Sequence, residues 1–250
     1  MPVRAWDGAL YDEISVPQQT WGREVLQRLK LRGDELVLDA GCGSGRVTEM
    51  LLSRLPEGRV IAVDADASMV AAARRRLRGR PAEVLCADLL ELKLEQRVDA
   101  VLSTATFHWI ADHNSLYQRL RGLLRDGGQL VAQCGGEGNV ARVHAEACAV
   151  ASQPHFASAF TGWRAPWNFT DPQRAQQSLI TAGFRQARCW LAPAPVIPPQ
   201  PQRFLREVIL GPYLQRLSDA EADRFANEVE RRLGEPLLID YVRLNIDAIA

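Results

Sequence analysis

The sequence lacks any run of about 18 apolar residues, the length a helix needs to cross a bilayer, so no spanning helix is expected. It also lacks a charge excess: 30 Lys and Arg stand against 30 Asp and Glu. No global field draws it to nucleic acid or to an anionic membrane. Its five cysteines, at 42, 86, 134, 148 and 189, form no CxxC pair and no zinc-finger spacing with histidine. Reduced thiols in a cytoplasm are the expectation. The segment Met1 to Trp6 has no apolar core like that of a secretory signal. Repeats and low-complexity tracts are absent. What is present, 250 residues of which 47% are hydrophobic, suffices for one large α/β domain or a domain with a lid.

The first half alternates strand and helix patterns. Leu36 to Asp39, Arg59 to Asp64, Ala82 to Cys86, Val98 to Ser103 and Gln129 to Gln133 are short apolar runs bounded by turn residues. They are continuous rather than alternating, as strands buried on both faces of a parallel sheet are. Between them, Arg46 to Leu55, Ala67 to Leu77 and Asn114 to Leu124 carry helical spacing, the last stopped by Asp126-Gly127-Gly128. This rhythm predicts right-handed crossovers and a doubly wound sheet. Residues 17 to 30 predict an amphipathic helix with Trp21, Val25, Leu26 and Leu29 on one side. After Cys134 the pattern loosens into a glycine loop, helical stretches and an aromatic-rich segment from Phe156 to Phe169. A strand is expected over Phe184 to Leu191, helices over about 202–216 and 219–233, and a final strand within Leu237 to Ala250.

The most specific signal is Asp39-Ala40-Gly41-Cys42-Gly43-Ser44-Gly45, directly after a strand and before a helix. Glycines there permit a tight turn and close backbone approach to a ligand. Free N–H groups at the following helix start suit an anionic group. Dinucleotide-binding enzymes share that much. Here, however, the glycines run GxGxG rather than GxGxxG, and an acid stands two residues before the first. A second strand ends in Asp64, nineteen residues past Gly45, where a carboxylate can take both ribose hydroxyls as donors. A third strand ends at Cys86-Ala87-Asp88, an acid able to accept from an adenine amino group.

Together these residues resemble the class I S-adenosylmethionine-dependent methyltransferase family, well over residues 33 to 134 and weakly elsewhere. The resemblance implies that Asp39, Gly41 and Gly43 line the methionine end of the donor and that Asp64 binds the ribose. Ala65 and Met69 would lie near the adenosine, Asp88 and Leu89 would bind adenine, and Ser103 and Thr104 would pass under the sulfonium. It implies an α/β fold: a doubly wound, mostly parallel, seven-stranded Rossmann-like sheet. An N-terminal helix (1–32) would cover the donor core (33–134), and 135–250 would supply the acceptor-side lid and last strands of a single domain.

After the fourth strand the chain reads Phe107-His108-Trp109-Ile110-Ala111-Asp112-His113. The Asn-Pro-Pro-aromatic motif of base and glutamine methylases is absent, and Asp112 alone makes no metal site. The His-Trp pair, with Pro17-Gln18-Gln19-Thr20-Trp21, resembles the branch holding trans-aconitate and juvenile hormone acid methyltransferases, which esterify carboxylic acids. The resemblance gives Gln18 (or Gln19) and Trp109 the role of holding the acceptor carboxylate. The expected partner is then a small acid with apolar bulk, with no metal, nucleic acid or membrane involved.

Other readings stay open. His108 could be a general base for a hydroxyl, amine or carbon acceptor, or a structural histidine. Trp109 could only cap the core. Trp163, Trp167, Phe156, Phe160 and Phe169 could line the acceptor site or pack the lid. Arg142 and Arg164 could pair with a second substrate carboxylate or be solvated. The run Arg74-Arg75-Arg76, Arg78, Arg80 is expected on the outer solvent face. A dinucleotide-dependent dehydrogenase and a non-catalytic S-adenosylmethionine-binding protein are the rival classes.

Overall fold

Strands with apolar residues on both faces need helices on both faces, and each crossover helix returns the chain to start the next parallel strand. The computed structural model describes residues 16–250, with side-chain environments from Thr20 onward. Its elements run α1 (Val16–Arg28), β1 (Leu36–Ala40), α2 (Arg46–Leu52), β2 (Arg59–Asp64), α3 (Ala67–Arg76), β3 (Ala82–Cys86) and β4 (Val98–Thr104). They continue with α4 (His113–Leu123), β5 (Leu124–Gly135), α5 (Ala141–Ala151), α6 (Pro172–Thr181), β6 (Gln186–Pro193), α7 (Asp219–Leu233) and β7 (Val242–Ile249).

The seven strands form one sheet in the order β3-β2-β1-β4-β5-β7-β6. Only β7 is antiparallel to its neighbours. Strand order reverses between β1 and β4, and a crevice at the carboxyl ends of the strands is expected at such a switch point. All five residues of β1 are buried. Alternate side chains feed two cores: Val37 and Leu102 pack with Val25, Leu29 and Leu51 on one face, while Leu38 and Val101 pack with Leu116, Leu120 and Leu179 on the other. A third core holds the lid together, with Val143 and Val150 of α5 against Phe225 and Val229 of α7.

Two segments depart from their sequence patterns. Strand β5 begins at Leu124, not Gln129, because Leu124 pairs with Val98 before a register shift ahead of the Ala100–Gln129 pair. Helix α4 therefore ends by pairing into the sheet rather than at the glycines. The helix expected over 202–216 is broken into Pro201–Phe204, a π turn Leu205–Ile209, and Gly211–Leu214. Pro212 has no N–H to continue a helical ladder, and the Leu210 N–H reaches back five residues to the Leu205 carbonyl.

Leu102 sits at the sheet centre and is fully buried. Leu102→Ala should lower stability by about 2–5 kcal/mol through lost burial and a residual cavity. A urea titration that leaves the midpoint unmoved would contradict that placement.

Candidate active site

The glycine loop owes its shape to what lies against it. Gly41 has φ +85°, and a Cβ there would stand 2.0 Å from Thr106 Oγ1, so only glycine fits. Gly43 has φ +53° and open space where its Cβ would be, which leaves its backbone approachable. At the tip of β2, Asp64 Oδ2 accepts the Gly43 N–H at 2.8 Å and Oδ1 accepts the Asp66 N–H at 2.9 Å. Burial raises the Asp64 pKa, and these backbone donors oppose the rise. Asp39 is fully buried beneath the loop: Oδ2 accepts from Thr48 Oγ1 at 2.6 Å, while Oδ1 has no hydrogen-bond partner. Burial lifts its pKa to about 7.

A cavity of about 480 Å³ runs from this loop past the β4 tip to the lid. Gly41, Gly43, Asp64 and Ala65 line it, and so do Met69, Asp88, Leu89 and Thr104. Asp39 and Ser103 do not. The Ser103 hydroxyl instead donates to the Ala40 carbonyl at 2.6 Å. Ala105 and Thr106 continue the wall. Ala105 has φ +56° and Val140, across the cavity, φ +50°, two non-glycine residues in the left-handed region.

The far half of the cavity is aromatic. Trp109, 38% exposed, lies 5.2 Å from the His108 ring and 6.0 Å from Trp167, which stacks on Phe169. His108 is buried, and its Nδ1 accepts the Gly135 N–H at 3.2 Å. A backbone N–H can only donate, so the ring is neutral and its proton sits on Nε2. Burial, then the charges of Arg243 and His113, hold its pKa well below the ordinary value. His108 lines the cavity. Gln18 and Gln19 belong to the backbone of α1, but their side chains lie outside the described residues.

The aromatic segment divides. Trp167 and Phe169 line the cavity, whereas Phe156, Phe160 and Trp163 pack against Tyr213 and Phe225 inside the lid. Neither Arg142 nor Arg164 lines the cavity; Arg142 donates to the Leu233 carbonyl and ties α5 to α7. His113 bonds the Phe107 carbonyl and His144 the Tyr213 hydroxyl. Arg76 and Arg80 pair with Glu49. Trp21, Asn139, Tyr241 and Arg243 also line the cavity, and of these only Trp21 lies in a motif. No signal in the strand singled out Arg243, because β7 alternates apolar residues with the polar Arg243, Asn245 and Asp247.

A switch-point sheet of this order, with a GxGxG loop and an acid-tipped second strand facing one cleft, is the Rossmann-like methyltransferase fold. Residues 37–128 match the family described as methyltransferase domain. The chain is 34% identical over 128 residues to trans-aconitate 2-methyltransferase of Acidovorax ebreus, covering 51% of this chain and 49% of that one. It is 32% identical over 136 residues to malonyl-[acyl-carrier protein] O-methyltransferase of Acetivibrio thermocellus, covering 54% and 48%. The chain thus spans about half the length of the curated relatives it matches. The solved structure of Haemonchus contortus phosphoethanolamine N-methyltransferase 2 in complex with S-adenosyl-L-methionine shares the fold: TM-score 0.59, 17% identity, covering 92% of this chain and 52% of that one.

Native Asp39 keeps its proton to about pH 7, whereas an unfolded aspartate loses it near 3.8. Its contribution to stability is therefore full below about pH 4 and is lost as pH rises through 7, by up to about 4 kcal/mol. Between pH 5 and 8 the wild-type urea midpoint should fall further than that of Asp39→Asn. Parallel slopes for the two proteins would show that Asp39 is not shifted.

Proposed function

We propose that this protein transfers a methyl group from S-adenosylmethionine to a carboxylate of a small acid with apolar bulk, giving a methyl ester and S-adenosylhomocysteine. The observation that carries it is one cavity joining the glycine loop and acidic strand tips to Trp109 and a neutral, donating His108. Asp39, Gly41 and Gly43 would hold the methionine end, with Asp64, Ala65 and Met69 around the ribose. Asp88 and Leu89 would hold adenine, and Ser103-Thr104 the strand tip under the sulfonium. The open backbone at Gly43 fits a bound ligand at that loop, and Asp39 would act from beneath it. When bound, S-adenosylmethionine supplies an electrophilic methyl group.

The chain's own residues supply orientation and dryness. A carboxylate is ionised at pH 7 and needs no base. The His108 Nε2–H and the Trp109 indole N–H orient it as neutral donors. Neutral donors do not over-stabilise a charge that the ester no longer carries. Trp167, Phe169 and Ile209 keep water from the reacting oxygen. The relatives named for trans-aconitate and malonyl-carrier esterification support the carboxylate reading. The reading in which His108 deprotonates a hydroxyl, amine or carbon acceptor is disfavoured, because the Nδ1 lone pair already takes the Gly135 N–H. The five free cysteines fit a reducing cytoplasm, and no metal is part of the proposal.

Labelled methyl from S-adenosylmethionine should appear in a base-labile ester when the protein meets a panel of carboxylic acids, phenols and amines. Between about pH 6 and 9 the rate should carry no titration from the carboxylate or from His108, and any change there should follow Asp39 and disappear in Asp39→Asn. Label confined to phenols or amines, with a bell-shaped pH profile, would sink the reading. His108→Gln and Trp109→Ala should each lower kcat roughly tenfold, about one neutral hydrogen bond, with donor affinity retained. Asp64→Ala should instead weaken donor binding, measured by calorimetry; wild-type affinity in that variant would remove Asp64 from the site.

A further inference from the structure

Arg243 brings a cation to the acceptor half of the cavity from inside the sheet. It lies on β7, is 3% exposed, and lines the cavity. The β5–β7 register sets it opposite Gly135, the residue whose N–H holds His108 Nδ1. Trp21 of α1 packs its ring 4.7 Å from the guanidinium carbon and Tyr241 its ring at 5.7 Å. The Nε of Arg243 donates to Gln133 Oε1 at 3.5 Å, and the Gln133 amide in turn donates to Asn245 Oδ1 at 3.0 Å. Groups from three elements therefore fix a planar, five-donor cation at the wall. A buried charge is weak for stability, and an apolar residue of similar size often serves the fold as well. Its burial at a ligand-sized cavity points to the ligand.

The charge of Arg243 also decides which substrate group it can serve. A carboxylate that becomes an ester loses its charge along the reaction. A guanidinium paired with it would bind the starting acid better than the transition state and slow transfer. A second carboxylate keeps its charge throughout, and pairing with it supplies binding and orientation at no such cost. We infer that Arg243 is a specificity-determining residue that holds a second, non-reacting carboxylate, so that the acceptor is a dicarboxylic acid whose other carboxylate is methylated beside Trp109 and His108. This rests on the carboxylate reading above. It replaces Arg142 and Arg164, which lie away from the cavity, as the residue for that group.

The test measures binding without turnover. The full chain, saturated with S-adenosylhomocysteine, is titrated calorimetrically with glutarate, adipate and suberate and with the half-amide of each. The tightest-binding diacid should exceed its half-amide on the order of tenfold to a hundredfold in wild type. In Arg243→Gln that ratio should collapse to within about threefold of unity, and Arg243→Lys should keep part of it. If Arg243→Gln does not fold, Gln133→Glu, which sets a carboxylate against the Arg243 Nε, should collapse the ratio equally. No diacid preference in wild type, or a preference that survives both variants, overturns the inference. Labelled-methyl assays of the half-amides with wild type separate the two readings. Esters formed from half-amides with no diacid preference would retain the carboxylate function and remove Arg243 from it. No ester from any acid would remove the carboxylate function and this inference together.

Discussion

Two hydroxyls at the tip of β4 hold the site open in the right place. Ser103 donates to the Ala40 carbonyl, and the Thr106 hydroxyl is shared between the Thr104 and Gly41 carbonyls, which ties β4 to the end of β1 where the strand order reverses. Thr106 fills the space that any side chain at Gly41 would need. The glycine loop can then turn beneath Asp64 and present its backbone to the cleft. The remaining parts of the donor half, the acid-tipped strands β2 and β3, are positioned by ordinary parallel pairing and need nothing further.

The acceptor half is built differently. Its wall takes Arg243 from a short strip where β5 and β7 run antiparallel, with Gln133 opposite Asn245 and Gly135 opposite Arg243, and His108 and Trp109 from the turn after β4. The Gly135 N–H sets the His108 tautomer, and Gln133 steadies Arg243. Around this strip stand rings from four separate parts of the chain, Trp21, Trp109, Trp167 and Tyr241. The result is an apolar chamber with few polar groups, each held by a second. Such a chamber suits selecting a substrate by shape and by one or two charges.

Much of the donor half was legible because its signals are local. A tight turn needs its glycines in sequence, and buried parallel strands need continuous apolar runs, so β1 to β4 and Asp64 stand where their patterns put them. The lid was less legible. Pro212 breaks a helix whose spacing alone looked continuous, and Leu124 joins the sheet because Val98 is there to pair with it. The aromatic segment carried two meanings at once, since Trp167 and Phe169 face the cavity while Phe156, Phe160 and Trp163 form the lid's interior.

The sequence by itself determined the fold class, the glycine loop and the acids at the strand tips, because each depends on neighbours a few residues away. Only the tertiary structure decided the tautomer of His108, the retirement of Ser103 from the cavity wall and the arrival of Arg243 within it. Those depend on contacts between residues 27 to more than 200 positions apart. Hydrogen bonds across a sheet leave no periodicity in the chain, so a cation on the last strand can complete a site begun on the first.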